Sequence, residues 1–428
     1  MPYVTYDARF LVWWGILLFC TKLGSRRQLD FGLRDMETAV LGNINRLAHT
    51  AQESLPVHDT LDYFLSKMPP DALGGLLRQC VQRLIRMKAL DDARLLGHLV
   101  VVMDGTGYVR FHYPHCDQCL TQRHDGTTVY LHPVVEAKLV SAGGLAISVG
   151  SEFIENPSQQ LPAHPAQRQS YDTHKQDCEL TAFRRLAATL KAQYPQTPLC
   201  ISADSLYGCG TGMDECIRNG WLFMLVFKQG RTPALWDEFQ SLLALQPANR
   251  HTVHLPDGRT QTYRWVNDLP YTDEQNRSYM LHAIICKELC GQDTTTYAWL
   301  TNAAVTATNV VELANKGGRI RSTIENQGFN MQKNGGYNLE HAYSFTTVSF
   351  KAFYTLLQLA HLLLQLVEHG SLLQVLACKY EASSPRKLFG SIRNYAQRLL
   401  ECLRYYHIPH EAFDPLLAAA CHIRLDTG

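Results

Sequence analysis

Two aspartates in this 428-residue chain stand directly after short apolar runs: Val100-Val101-Val102-Met103 leads into Asp104, and Cys200-Ile201-Ser202-Ala203 leads into Asp204. Both runs read as buried strands that end in a carboxylate. Strands that deliver carboxylates to one edge of a sheet build a site for a hard cation, because Mg²⁺ prefers oxygen ligands and keeps several of its waters. Two such ions about 4 Å apart suit in-line phosphoryl chemistry, and holding both requires a third carboxylate. Glu325 is the candidate, in a helical stretch that also carries Arg319, Arg321 and Lys333. Arg321 lies four residues before Glu325, so both project from one helix face, and a metal-bound carboxylate beside a guanidinium that grips phosphate is a coherent pair. Each residue also has a plainer reading. An aspartate after a strand forms turns or caps helices, and a Glu four residues from an Arg makes a weak solvated pair.

Cys116-Asp117-Gln118-Cys119 has zinc-knuckle spacing, but it supplies only two of the four ligands a structural Zn²⁺ needs. His115, His124, Cys178 or the Cys286 and Cys290 pair could complete it; the alternative is a turn bearing two reduced thiols. The thirteen cysteines are odd in number and scattered, as expected of reduced, mostly buried thiols in a cytoplasmic protein. Lys175 to Glu179 reads either as the acidic first turn of a helix or as a place where Lys175 and Gln176 reach DNA. Lys379 to His407 carries an excess of basic residues, which suits a solvated helix face or a DNA-backbone contact.

The elements that must position these residues follow from hydrophobic periodicity. Residues 1–97 read as helical, with Leu73, Leu76, Leu77, Val81, Leu84 and Ile85 recurring at helical spacing behind Pro69-Pro70 and an N-cap at Asp71. Strands are predicted at His98 to Met103, stopped by a turn at Asp104-Gly105-Thr106-Gly107, then at Val129 to Val140 and Leu145 to Ile154. A helix over about Asp172 to Gln193 comes next, then a strand at Leu199 to Ala203, a short helix near Met213 to Asn219 and a strand at Trp221 to Phe227. Residues 229–296 read as a strand-rich insertion, after which Tyr297 to Leu300 returns as a strand and Asn309 to about Lys333 as one long helix. The C-terminal part is helical. The chain is 46 % apolar and 18 % charged, enough for a large core. Forty basic against 39 acidic residues leave a net charge of +1, which excludes a uniformly basic partner binder but not a local basic face. The apolar run from Phe10 to Cys20 is about half the length of a membrane span and lacks a leader's flanks, so neither membrane nor secretory character is expected.

The order strand, strand, strand, helix, strand, helix, strand matches the ribonuclease H-like fold, with Asp104 and Asp204 on the first and fourth strands. Four motifs in that order resemble the DDE transposases of bacterial insertion sequences: Val102-Met103-Asp104-Gly105-Thr106-Gly107-Tyr108, Lys175-Gln176-Asp177-Cys178-Glu179, Ala203-Asp204-Ser205-Leu206-Tyr207, and a block from Gly318 through Glu325, Asn326 and Asn330 to Lys333, Gly336, Tyr337, Leu339, Glu340 and His341. The likeness covers about residues 55–370 and departs from the family at Ser322, where a Trp is usual, at Gln327, where an acidic residue is usual, and after His341. It implies an α/β fold: a ribonuclease H-like mixed sheet with flanking helices, interrupted by a β-rich insertion, plus helical N- and C-terminal regions. The implied partition is 1–97 for contact with DNA ends, 98–228 and 297–370 as two parts of a catalytic core, 229–296 as the insertion and 371–428 as a helical C-terminal region. Asp104, Asp204 and Glu325 would hold Mg²⁺, or Mn²⁺ in its place, while Arg319, Arg321, Lys333 and Lys175 would touch DNA. The partners implied are double-stranded DNA, as element ends and as target, and a second copy of the chain assembled on it. Two other functions fit the same residues: a host-adopted, non-catalytic DNA-binding descendant, and a metal-dependent nuclease without strand transfer.

Overall fold

Alternation with period two runs through the strand that carries Asp104: Leu99, Val101 and Met103 bury into one apolar cluster, and Val100 and Val102 into a second on the opposite face. A strand buried on both faces lies at the centre of a layered α/β molecule. The computed structural model describes residues 5–69, 71–114, 116–157, 176–371, 377–383, 385–409 and 425. It is a mixed α/β protein with one 11-stranded mixed sheet and flanking helices. The strands are β1 (Arg94–Leu95), β2 (His98–Phe111), β3 (Leu120–His124), β4 (Thr127–Val140), β5 (Ala146–Phe153), β6 (Leu199–Ala203), β7 (Leu222–Val226), β8 (Arg250–His254), β9 (Thr260–Thr272), β10 (Ser278–Cys290) and β11 (Asp293–Thr301). Their order is β3-β4-β2-β6-β7-β11-β10-β9-β8, with β5 on β4 and β1 on β2. β2, β6 and β7 run parallel, and the other pairs are antiparallel.

Among the described residues five α-helices precede the sheet, α1 (Ala8–Cys20), α2 (Arg26–Arg34), α3 (Glu37–Ala48), α4 (His58–Lys67) and α5 (Ala72–Arg86), while α6 (Glu179–Gln193) and α7 (Gly210–Arg218) flank β6 in sequence. Asp71 stands at the N-cap of α5, but its side chain makes no capping hydrogen bond. The apolar run from Phe10 to Cys20 is α1, which buries almost its whole length. It packs on the helix Thr347–His369, which also touches α4, α5 and β5. By length and composition that helix could cross a membrane, but here most of it is buried in the core. Polar groups are buried at this junction. Lys138 of β4 donates to Gln358 at 2.7 Å, and Tyr354 donates to Glu136 at 2.6 Å, which secures the helix to the sheet at fixed points.

Three sequence expectations change. β2 does not stop at Asp104-Gly105-Thr106-Gly107 but runs on to Phe111, with a β-bulge between Gly107 and Val109. The antiparallel partner β4 keeps supplying hydrogen bonds after the parallel ladder to β6 has ended at Met103 and Ala203. Residues 229–296 hold a helix, α8 (Pro233–Leu245), before the expected strands, and those strands extend the central sheet at its edge. Proline at its start and Leu235, Phe239 and Leu243 at four-residue steps explain that helix. β11 begins at Asp293, hairpinned onto β10, so the return to the centre starts before Tyr297.

The stretch expected as a long helix is helical throughout 310–334, but its winding changes along the way. It is α-helical at Val310–Glu312, π-helical at Leu313–Gly318, a 3₁₀ turn at Arg319–Arg321, π-helical at Ile324–Phe329 and α-helical at Asn330–Asn334. Close approach to the sheet accompanies the first π-helical turn. A Cβ on Gly318 would lie 2.4 Å from the Trp299 ring, and one on Gly317 would lie 2.7 Å from Met224 Cγ. Gly318→Ala is therefore expected to destabilise the protein by about 1–3 kcal/mol, read as a lower denaturation midpoint. A midpoint equal to wild type would show that this contact is not tight.

Candidate active site

Pleating decides which face receives the two aspartates. Asp104 shares parity with Val100 and Val102, and Asp204 shares parity with Cys200, whose side chains all face the cluster covered by residues 310–329. The last parallel pair is Met103 with Ala203, so the two carboxylates follow at matching positions on strands about 4.8 Å apart. Asp204 Oδ1 also accepts the Leu206 N–H at 2.8 Å, the turn-forming bond common after a strand.

Arg321 joins the strand that carries Asp104 to the helical stretch that carries Glu325. Its guanidinium donates to Asp104 Oδ2 at 3.1 Å and pairs with Glu325 Oε1 at 2.8 Å, so both carboxylates hang on one cation. Asp104 is nearly enclosed, with 16 % of its side chain exposed, whereas Glu325 is 51 % exposed. Burial pushes the Asp104 carboxyl up to about 6; Arg321 pulls it down, and Asp204, Glu325 and Glu179 push it up further. Around Asp104, three neighbouring carboxylates therefore oppose one guanidinium.

Glu179 is the residue that sequence reasoning missed as a member of this set. It opens α6 (Glu179–Gln193) and accepts the Tyr207 hydroxyl at 2.6 Å. Burial, and then the neighbouring carboxylates, keep that phenol protonated. A Cβ on Gly105 would stand 2.6 Å from Glu179 Oε2, so glycine beside Asp104 is what lets the fourth carboxylate approach. The signal was present as the motif ending in Glu179, but an acidic first turn accounts for it equally well.

The other basic residues lie elsewhere. Arg319 turns to β10, where it pairs with Glu288, and it lies over the Tyr297 ring at 4.6 Å. That pairing leads the influences that hold the Glu288 carboxyl down at about 2. Lys333 pairs with Glu340 at 2.8 Å. Lys175 lies outside the described residues, and Gln176 is taken up by the Thr121 backbone, accepting from its N–H at 2.6 Å and donating to its carbonyl at 3.0 Å.

The three carboxylate groups do not converge within 4.8 Å of one another; among the described residues the ligand atoms that do belong to Cys116, Cys119 and His132. This buried group could hold a metal such as zinc. Of the partners expected for the cysteine pair, Cys178, Cys286 and Cys290 are not in the group, and His115 and the His124 side chain lie outside the described residues. The partner found is His132, brought across by the β3–β4 hairpin. Cys178 instead meets the Thr181 hydroxyl at 3.3 Å, and Cys286 is buried within β10.

No model of a known protein family matches the chain, and no curated protein does.

Proposed function

We propose that this protein is a DDE transposase with a ribonuclease H-like core, which cuts DNA at the ends of its element and joins them to target DNA. The single observation that carries this reading is that Arg321 pairs with both Asp104 and Glu325, residues far apart in the chain, while Asp204 follows β6 at the position matching Asp104 on β2. The strand order β5-β4-β2-β6-β7, with β2, β6 and β7 parallel, supports the ribonuclease H-like assignment. The resemblance of the four sequence motifs supports the DDE class.

Asp104, Asp204 and Glu325 offer hard oxygen donors, which suit a divalent cation. Mg²⁺, or Mn²⁺ in its place, would supply activation of the attacking oxygen and stabilisation of the leaving one. The chain's own residues orient the parts. Arg321 holds Asp104 beside Glu325 and presents a bidentate donor to a phosphate. In this reading Lys175 would reach the DNA, whereas Arg319 and Lys333 are engaged by Glu288 and Glu340. The helices of 1–97 receive the element ends, and two copies assemble on the DNA.

The test is incubation of the full chain with linear DNA carrying its gene and genomic flanks, in Mg²⁺, followed by sequencing of new junctions. Flank ends joined to target DNA are expected. Cleaved ends without joining would overturn transposition in favour of a nuclease, and DNA binding without cleavage in Mg²⁺ or Mn²⁺ would overturn catalysis.

A further inference from the structure

A second centre lies on the same sheet, built from softer ligands. Cys116 and Cys119 sit in the β2–β3 connection, and His132 lies on β4 opposite Val109, just past the bulge in β2. Cys116 Sγ and Cys119 Sγ are 3.6 Å apart, and His132 Nε2 lies 3.3 Å from the first and 3.2 Å from the second. A tetrahedral zinc with ordinary bond lengths has S–S edges of about 3.8 Å and S–N edges of about 3.6 Å. The three observed edges fall within about 0.4 Å of that triangle. A single ring nitrogen cannot satisfy two sulfurs through one proton or one lone pair, but a cation at the centre accepts from all three atoms.

The surroundings match a metal-bound imidazole. His132 is fully buried, and its Nδ1 donates to Glu155 Oε1 at 3.2 Å, which turns Nε2 toward the sulfurs. Glu155 Oε2 is in turn held by Lys351 of the helix Thr347–His369. The backbone N–H of Cys116 donates to Cys119 Sγ at 3.4 Å, the kind of bond that stabilises a thiolate. Hydrogen bonding from Cys119 and His132 also holds the Cys116 thiol well below its ordinary value.

We infer that Cys116, Cys119 and His132 bind one Zn²⁺, its fourth position left to water, and that this ion fastens the β2–β3 connection to β4 and, through Glu155 and Lys351, to the long core helix. Thiolate and imidazole select zinc over Mg²⁺, so this centre is chemically separate from the carboxylate site. The inference does not depend on the transposase reading, because metal content and cleavage are measured independently.

The test is metal analysis of the full chain, expressed with zinc and purified under reducing conditions without chelator. One zinc per chain is expected, lost in Cys116→Ser/Cys119→Ser and kept in His132→Cys, which retains a zinc ligand. Glu155→Gln should keep the ion but bind it 10–100-fold more weakly in competition with a chromogenic chelator. If the serine variant fails to fold, wild type exchanged into Co²⁺ still decides the matter: thiolate-to-cobalt charge transfer and intense tetrahedral visible bands are expected. Zinc-free wild type, cobalt spectra without a thiolate band, or a Cys116–Cys119 disulfide in the reduced preparation would overturn the site.

Discussion

Asp204→Asn is expected to lower Mg²⁺-dependent DNA cleavage by roughly 10³-fold or more, about 4 kcal/mol of barrier, while the protein folds and binds DNA as before. The substitution removes the negative charge a divalent ion needs but preserves shape. Its amide oxygen can still accept the Leu206 N–H that Asp204 accepts at 2.8 Å, so the turn after β6 persists. Gel shifts should therefore match wild type when cleavage is gone. Equal loss of binding and cleavage would point to a structural role for Asp204, and undiminished cleavage would remove it from the chemistry.

The largest effect on stability is expected at Asp104. Its carboxyl is raised from 3.8 to about 6 in the folded chain, chiefly by burial, with Asp204, Glu325 and Glu179 adding to the rise against Arg321. A raised carboxyl means that the fold favours the protonated form. The stability it contributes is fully present below about pH 4 and is lost as pH rises toward and past about 6. At about pH 7 the ionised group costs about 3 kcal/mol relative to its protonated state. Without divalent ions, Asp104→Asn should thus be close to wild type near pH 4 and up to about 3 kcal/mol more stable near pH 7, in urea unfolding at both pH values. Mg²⁺ should narrow that difference by stabilising wild type alone. A variant less stable than wild type near pH 7 would mean that the lost Arg321 contact outweighs the relief.

The centre of the sheet was legible because β2 and β6 are short apolar runs buried on both faces, and period two alone then sets Asp104 and Asp204 on the same side. The Arg321–Glu325 pair was legible because four-residue spacing on a helix is a local fact. His132 was not. It follows Cys119 by 13 residues, and only the hairpin register of β3 on β4 brings it within 3.2 Å. Glu179 was hidden in the same way, since its nearness to Asp104 depends on how α6 meets the sheet and on a glycine that leaves room. The π-helical and 3₁₀ winding within 313–329 was not legible because Trp299 and Met224, which crowd Gly318 and Gly317, come from strands elsewhere in the chain. α8 is different: its stripe of Leu235, Phe239 and Leu243 was readable, but the Thr- and Tyr-rich strands after it dominated the reading of residues 229–296.

The most direct measurement of the central claim is a metal-specificity switch at the two aspartates. Asp104→Cys and Asp204→Cys each exchange a hard oxygen donor for a softer sulfur, which Mg²⁺ tolerates poorly and Mn²⁺ accepts better. With linear DNA carrying the genomic flanks as substrate, both variants should be inactive in Mg²⁺ and regain cleavage in Mn²⁺, and wild type should work in both ions and stop in EDTA. Wild-type cleavage that survives EDTA, or cysteine variants that cleave in Mg²⁺ as fast as wild type, would contradict a metal-ligand role for Asp104 and Asp204.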